Sequence, residues 1–196
     1  MLTRQSLLSG LPELHTERLK LRPLVVEDYQ TLRSLLSLPE VIKYMNRNRR
    51  PPVERAGRLF REIQSGSATL DSIHYVIVPD DTERLSGLVS FQHWHERKGE
   101  AQVGYLLDPT YWGRGLAAEA VGGLLSFGMD SLDLKRIEGR CHEQNTASAK
   151  VLMKNGFRYL RRIGMPGLKD DQDGVLVYEL TSEIYFAMDV INNKNN

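Results

Sequence analysis

Two glycines spaced one residue apart carry the strongest chemical signal in the chain. The segment Gly104-Tyr105-Leu106-Leu107-Asp108-Pro109-Thr110-Tyr111-Trp112-Gly113-Arg114-Gly115-Leu116-Ala117-Ala118-Glu119-Ala120 reads as a strand, a turn holding Gly113 and Gly115, and a helix beginning at Leu116. Glycines there let backbone N–H groups turn toward one point without interference from a Cβ. The helix start adds orphan donors and the positive end of its dipole, which suits a phosphate or pyrophosphate. The plain alternative is a tight strand-to-helix turn that binds nothing. Gly113-x-Gly115-x-x-Ala118 also mimics a dinucleotide fingerprint, but that motif directly follows the first strand of a βαβ unit. Here at least three strands come first, and Asp108–Trp112 intervene between strand and glycines. A phosphate loop of the Gly-Lys-Ser/Thr kind is excluded, because no such run follows.

Other reactive side chains give weaker signals. Asn145 is a preferred helix N-cap, and Ser148 three residues on is ordinary first-turn filler. His93 and His95 flank Trp94 on the opposite strand face, yet a metal site needs a third ligand and none is marked, so no metal is expected. His142, beside Glu143, has the chemistry of a proton shuttle, although an exposed or satisfied histidine is the commoner case. Cys141 stands alone and reads as a small buried hydrophobe. From Lys43 to Arg61, seven basic residues (Lys43, Arg47, Arg49, Arg50, Arg55, Arg58, Arg61) stand against Glu54 alone, +6 locally. That run is a solvated face or a landing site for an acidic partner or RNA.

The elements that must position these groups follow from periodicity. Leu19 and Leu21 alternate with Lys20 and Arg22 in a half-buried strand over 18–24, and Leu32, Leu35 and Leu36 then mark a helix within 26–38. A short turn restarts at Pro39, and a helix over 53–64 carries Val53, Ala56, Phe60 and Ile63 on one stripe. Strands over 72–78 and 84–94 form a hairpin around Pro79–Thr82, and 100–107 is the next strand. A helix over 115–131, a strand over 136–142 and a helix over 146–155 come next. Strands near 157–164 and 174–181 close the pattern around a turn at 166–173. One or two helical turns are expected over 183–190, with a frayed tail over 192–196. This order is α+β around one mixed sheet.

Composition bounds the rest. The chain has 196 residues, 41% hydrophobic and 26% charged, with 26 basic against 25 acidic residues. One domain of this size buries roughly 70% of its unfolded surface, enough for a core without staples. A net charge of +1 argues against disorder and against a dedicated nucleic-acid binder. A single cysteine excludes a disulfide framework and fits a reducing, cytoplasmic setting. No apolar run approaches the ~18 residues of a membrane span, and Met1–Pro12 is too weakly apolar for a signal peptide. The expectation is one domain over 1–196, with no membrane partner.

With its flanks included, the glycine segment resembles the acetyl-CoA-binding motif of the GNAT N-acetyltransferases. That loop runs Gln/Arg-x-x-Gly-x-Gly/Ala, and Trp112, Gly115 and Ala117 take its positions. Trp-Gly-Arg-Gly-Leu-Ala-x-Glu-Ala is similar to the branch acting on ribosomal-protein N-termini and related amines. His15-Thr16-Glu17-Arg18-Leu19-x-Leu21-Arg22-Pro23, Val103-Gly104-Tyr105, Asn145-Thr146-Ala147-Ser148, Asn155-Gly156-Phe157 and Tyr178-x-Leu180 match the same branch in the same order.

The resemblance implies a sheet splayed between the fourth and fifth expected strands, 100–107 and 136–142, with helices on both faces. It implies acetyl-CoA in that gap, its pantetheine arm on the backbone of Tyr105, Leu106 and Leu107. The pyrophosphate would then lie on Trp112, Gly113, Arg114, Gly115, Leu116 and Ala117. It implies that Asn145 binds the arm and that Ser148 serves the departing sulfur. Many members use a tyrosine in that helix instead, and Leu152 stands at its position. Where relatives carry a glutamate base this chain has Gln102, which leaves Glu100, two residues earlier, to act through a water or to remain an exposed edge carboxylate. The implied reaction is acetyl transfer to a primary amine, a protein N-terminus first. A small-molecule amine such as an amino acid, polyamine or drug, and a catalytically silent CoA-binding module, are the alternatives. Nucleic acid enters only through a ribosomal target, and the protein is a monomer or homodimer.

Overall fold

In the computed structural model, residues 1–44, 54, 56–61, 65, 71–164 and 174–194 are described. The strands are β1 (Leu14–His15), β2 (Leu19–Arg22), β3 (Ile73–Pro79), β4 (Gly87–His95), β5 (Glu100–Leu107), β6 (Arg136–His142), β7 (Arg158–Gly164) and β8 (Gly174–Thr181). They form one sheet in the order β1-β2-β3-β4-β5-β6-β8-β7. Every neighbouring pair is antiparallel except β5 and β6, which run parallel. The helices are α1 (Arg4–Leu7), α2 (Tyr29–Leu35), α3 (Pro39–Ile42), α4 (Leu116–Ser126), α5 (Thr146–Lys154) and α6 (Ser182–Lys194), with a further helical stretch at 56–61.

Alternation puts the two faces of the sheet to different uses. On one, Leu19, Leu21, Tyr75, Val89, Phe91, Val103 and Ile137 pack under Val121, Leu124 and Leu125 of α4 and Leu152 of α5. On the other, Val76, Val78 and Leu88 meet Leu32, Leu35 and Leu36 of the α2 turn, together with Val41, Ala56 and Phe60. Leu32, Leu35 and Leu36 thus form the stripe that their spacing predicts. Among the described residues Asp28 is the charged exception in the interior, and the Arg22 guanidinium grips it with two bonds of 2.7 and 2.8 Å. Such planar, charge-assisted pairing is what allows a buried carboxylate to persist.

Several boundaries differ from the sequence reading. The helix expected from Val26 opens with a tighter turn over Val26–Asp28, because the Asp28 carboxylate accepts the Val25 N–H. The strand expected from Arg84 starts at Gly87, since Arg84 N–H is tied back to Thr82 Oγ1. β1 is too short to announce itself by alternation. The C-terminal helix runs thirteen residues, Ser182–Lys194, where one or two turns and fraying from Asn192 are expected. The 115–131 helix ends its regular part at Ser126 and continues in wider turns over Phe127–Ser131. The turn expected over 166–173 lies outside the described residues, as do Arg47, Arg49, Arg50 and Arg55 of the basic run.

Candidate acetyl-CoA and acetyl-transfer site

The gap lies where the sequence resemblance put it, and the register shows its depth. β5 pairs with β4 from Glu100 opposite His95 to Leu107 opposite Gly87, with one bulge in β4 between Gln92 and His95. With β6 it pairs only from Glu100–Arg136 to Val103–Gly139. Beyond that rung the two strands part, and Gly104–Leu107 presents an unladdered edge. Backbone donors and acceptors left there need partners from elsewhere, and an amide-bearing arm supplies them.

The loop that follows is built locally. Asp108 Oδ1 accepts Thr110 N–H and Oγ1–H, and Pro109 opens a single tight turn to Tyr111. The Trp112 indole N–H donates to Leu107 O at 2.8 Å, fastening the half-exposed ring to the end of β5. Gly113 and Gly115 then take φ +76° and +79°, the left-handed region that non-glycine residues enter at a cost of about 1–2 kcal/mol. Gly115 is also the N-cap of α4. A Cβ on Gly115 would meet only Arg18 Nη2 and Lys154 Nζ, each at 3.7 Å. Two cations therefore flank the helix start where a phosphate is expected, and the donor set fits the group. Arg114 lies over the Tyr111 ring at 5.2 Å, and its carbonyl accepts from Arg18 Nη1. Leu116 is buried in the core and Ala117 packs at its rim, so these two can offer a ligand only backbone.

Neither cation is placed by chance. Glu119 accepts from Thr16 Oγ1, Arg18 N–H and Arg18 Nε–H, each at 2.7 Å. Burial pushes the Glu119 carboxyl up, but those bonds and the guanidinium charge outweigh it and hold the group below its ordinary range. Asn155 Nδ2–H donates to Ala118 O at 3.1 Å and to Val151 O at 2.9 Å, locking the end of α5 to the start of α4 and bringing Lys154 to the loop. The sequence reading did not single out Lys154; its position just before Asn155-Gly156-Phe157 was the available signal.

Across the gap, Asn145 caps α5 as expected, its Oδ1 accepting Ser148 N–H at 3.1 Å. The Ser148 hydroxyl meets the phenol of Tyr105, oxygen to oxygen 2.8 Å. Tyr105 was expected to contribute backbone alone. Burial pushes its phenol well above the ordinary range, against the opposing effect of the Ser148 bond. Leu152 is buried against Gly139 and plays only a packing part.

Glu100 stands apart from this group. It begins β5, five residues before Tyr105 and roughly 16 Å away along an extended strand. Arg136, which also binds Glu179, lies 3.8 Å from it. The carboxylate beside the opening is Glu138, paired with Gln102 one rung below the last. It accepts from Gln102 Nε2 at 3.3 Å, Arg140 Nε at 2.5 Å and Arg161 Nη2 at 3.4 Å. His142, four residues beyond Glu138, stacks at a tilt on Tyr44 with centroids 5.6 Å apart. His93 sits at φ +52° where β4 bulges, so the two histidines do not share a regular strand face. Among the described residues no group of three potential metal ligands occurs, and no helix is long and apolar enough to cross a membrane.

A parallel pair forced apart beside a left-handed glycine turn is the arrangement of an acyl-CoA-dependent transferase. The Acetyltransferase (GNAT) domain family matches residues 18–158, and the chain belongs to that family, whose members use acetyl-CoA. An uncharacterized N-acetyltransferase of Bacillus licheniformis, p20, is 36% identical over 145 residues, covering 74% of this chain and 82% of that one. The ribosomal-protein-serine acetyltransferase of Escherichia coli is 31% identical over 75 residues, 38% of this chain and 42% of its own. Among solved structures, spermidine N-acetyltransferase from Vibrio cholerae with CoA and spermine superposes with a TM-score of 0.75 at 17% identity, over 87% of this chain and 99% of that one.

Proposed function

We propose that this acetyltransferase moves the acetyl group of acetyl-CoA onto a protein N-terminal α-amine by direct attack. The observation that carries the reading is the convergence, at one opening of the sheet, of an unladdered strand edge, a cation-flanked glycine turn and the Ser148 hydroxyl. The similarity to a ribosomal-protein-serine acetyltransferase supports a protein acceptor.

Tyr105–Leu107 would hold the pantetheine arm and the loop from Trp112 to Ala117 its pyrophosphate. Arg18 and Lys154 add charge there. The amine attacks the thioester carbon, whose oxygen takes backbone N–H bonds at the strand end, a contribution of about 3 kcal/mol per donor. The C–S bond then breaks, and Ser148 hydrogen-bonds the sulfur. An α-amine with pKa near ~8 is already partly neutral at pH 7.4, whereas a lysine near ~10.4 is about 0.1% neutral. Such an acceptor requires no strong base, in keeping with Gln102 at the base position. Glu138 is the carboxylate on hand to receive the ammonium, and Glu100, at the closed end of the strand, reaches it only through water.

Thermal unfolding with acetyl-CoA, NADH and ATP in turn tests the cofactor. Ligand at 100 times its Kd adds ~2.7 kcal/mol, a rise of about 5–10 °C for a chain of this size. Acetyl-CoA alone should produce it, and a shift with NADH instead overturns the assignment. Peptides with free N-termini are then compared with spermidine and free amino acids. Preferred turnover of spermidine or an amino acid removes the protein acceptor, and acetyl-CoA binding without turnover of any amine leaves a silent binding module.

A further inference from the structure

Ser148 and Tyr105 come from elements 43 residues apart and meet through two contacts. The phenolic oxygen lies 2.8 Å from Ser148 Oγ and 2.9 Å from the Ser148 carbonyl oxygen. The contact exists because β5 has already parted from β6 at Tyr105, leaving the ring free to span the gap to the first turn of α5. Both residues are only partly buried, so the pair borders the opening.

We propose that Tyr105 is a positioning residue for acetyl transfer, switching the Ser148 hydroxyl between a parked and a donating setting. This rests on the reading of Ser148 as the sulfur's hydrogen-bond partner. A phenol has one proton, and a carbonyl oxygen can only accept. In the parked setting, Tyr105 donates to the Ser148 carbonyl and Ser148 donates to the phenol. In the donating setting, the phenol O–H turns to Ser148 Oγ, and the serine proton is released toward the gap. Rotation about two C–O bonds interconverts them, with no covalent change.

The donating setting forms a chain of phenol O–H to serine O–H to sulfur, in which each bond polarises the next. As the C–N bond forms and the C–S bond breaks, the electron pair stays on sulfur. The amine nitrogen loses one proton and the sulfur gains one. The nitrogen's proton leaves by way of Glu138 to solvent, and the sulfur's comes from Ser148, which regains one from water. Tyr105 keeps its proton throughout, because burial makes a phenolate here costlier than in water. Phenol and serine therefore end as they began.

The test compares wild type with Tyr105→Phe, Ser148→Ala and the double variant. Hydroxylamine serves as acceptor, a small nucleophile neutral at pH 7 that needs no recognition pocket. Tyr105→Phe should lower kcat about tenfold, the size of one lost hydrogen bond at the reacting end, with the acetyl-CoA KM within twofold. The double variant should be no slower than Ser148→Ala. The solvent deuterium isotope effect on kcat should change in Tyr105→Phe, which a purely structural loss would not produce. If Ser148→Ala is slow while Tyr105→Phe matches wild type, raises KM instead, or multiplies its effect onto Ser148→Ala, the positioning role is overturned and the serine reading stands. If Ser148→Ala turns over like wild type, the serine reading itself fails and takes the proposal with it.

Discussion

The two edges of β5 are made from the same eight residues and do opposite work. Toward β4 the ladder runs unbroken from Gln102 to Leu107, past one bulge near His93, and Val89, opposite Tyr105, is fully buried. Toward β6 the ladder stops at Val103, and the residues beyond it carry the proposed chemistry. Satisfying every backbone group holds a strand in place; leaving a few unsatisfied on one side makes it a receptor. The closed edge lets the open one exist, because a strand paired on neither side would not keep its shape in water.

The largest effect expected at the open edge is that of Gly115→Glu. A side chain at φ +79° is strained, and its carboxylate would lie between Arg18 and Lys154 where the phosphate belongs. Acetyl-CoA should then produce no thermal shift, corresponding to a loss of at least ~2.7 kcal/mol; unchanged affinity by calorimetry would refute the loop assignment. On the closed edge, Val89→Ala should destabilise the fold by about 2 kcal/mol through lost burial. Its acetyl-CoA Kd should stay within twofold once folded, and a weakening beyond tenfold would show the two edges to be coupled. Lys154→Ala is expected to weaken acetyl-CoA about tenfold at low salt, less at high salt, with Tm nearly unchanged. Equal affinity at both salt concentrations would remove Lys154 from the phosphate site.

Glu119 joins the two by anchoring Arg18 beside the loop. Its folded pKa lies below the unfolded value of about 4.3, so its contribution is present above that pH and is lost as pH falls through the folded value. Glu119→Gln should therefore lose stability at pH 7 and show a shallower acid limb than wild type in urea titrations; parallel limbs would refute the linkage. The smallest effect belongs to Glu100→Gln, for which kcat within twofold of wild type is expected. A fall beyond tenfold would mean the acceptor's proton leaves by the closed end.

Much of the site could be read residue by residue because its parts are local. Gly113 and Gly115 take left-handed backbone within a three-residue turn, and Asn145 caps its helix through a bond to Ser148 N–H three residues on. Leu19 and Leu21, and the Leu32–Leu36 stripe, bury as their periods of two and 3.6 require. The boundaries that shifted at Val26 and Arg84 are those where a side chain, Asp28 or Thr82, competes with local propensity.

The sequence by itself determined the order of the main elements from β2 onward, the glycine turn, the cap of α5 and the family to which the chain belongs. The turn and the cap depend on residues within about four positions of one another, the reach of a turn or a helical hydrogen bond, and the family on several such local motifs in a fixed order. Only the tertiary structure decided that Tyr105 meets Ser148, that Lys154 reaches Gly115, and that Glu138 rather than Glu100 stands at the opening. Those distances depend on where β6 leaves β5 and how α5 packs on α4, and no spacing along the chain encodes them.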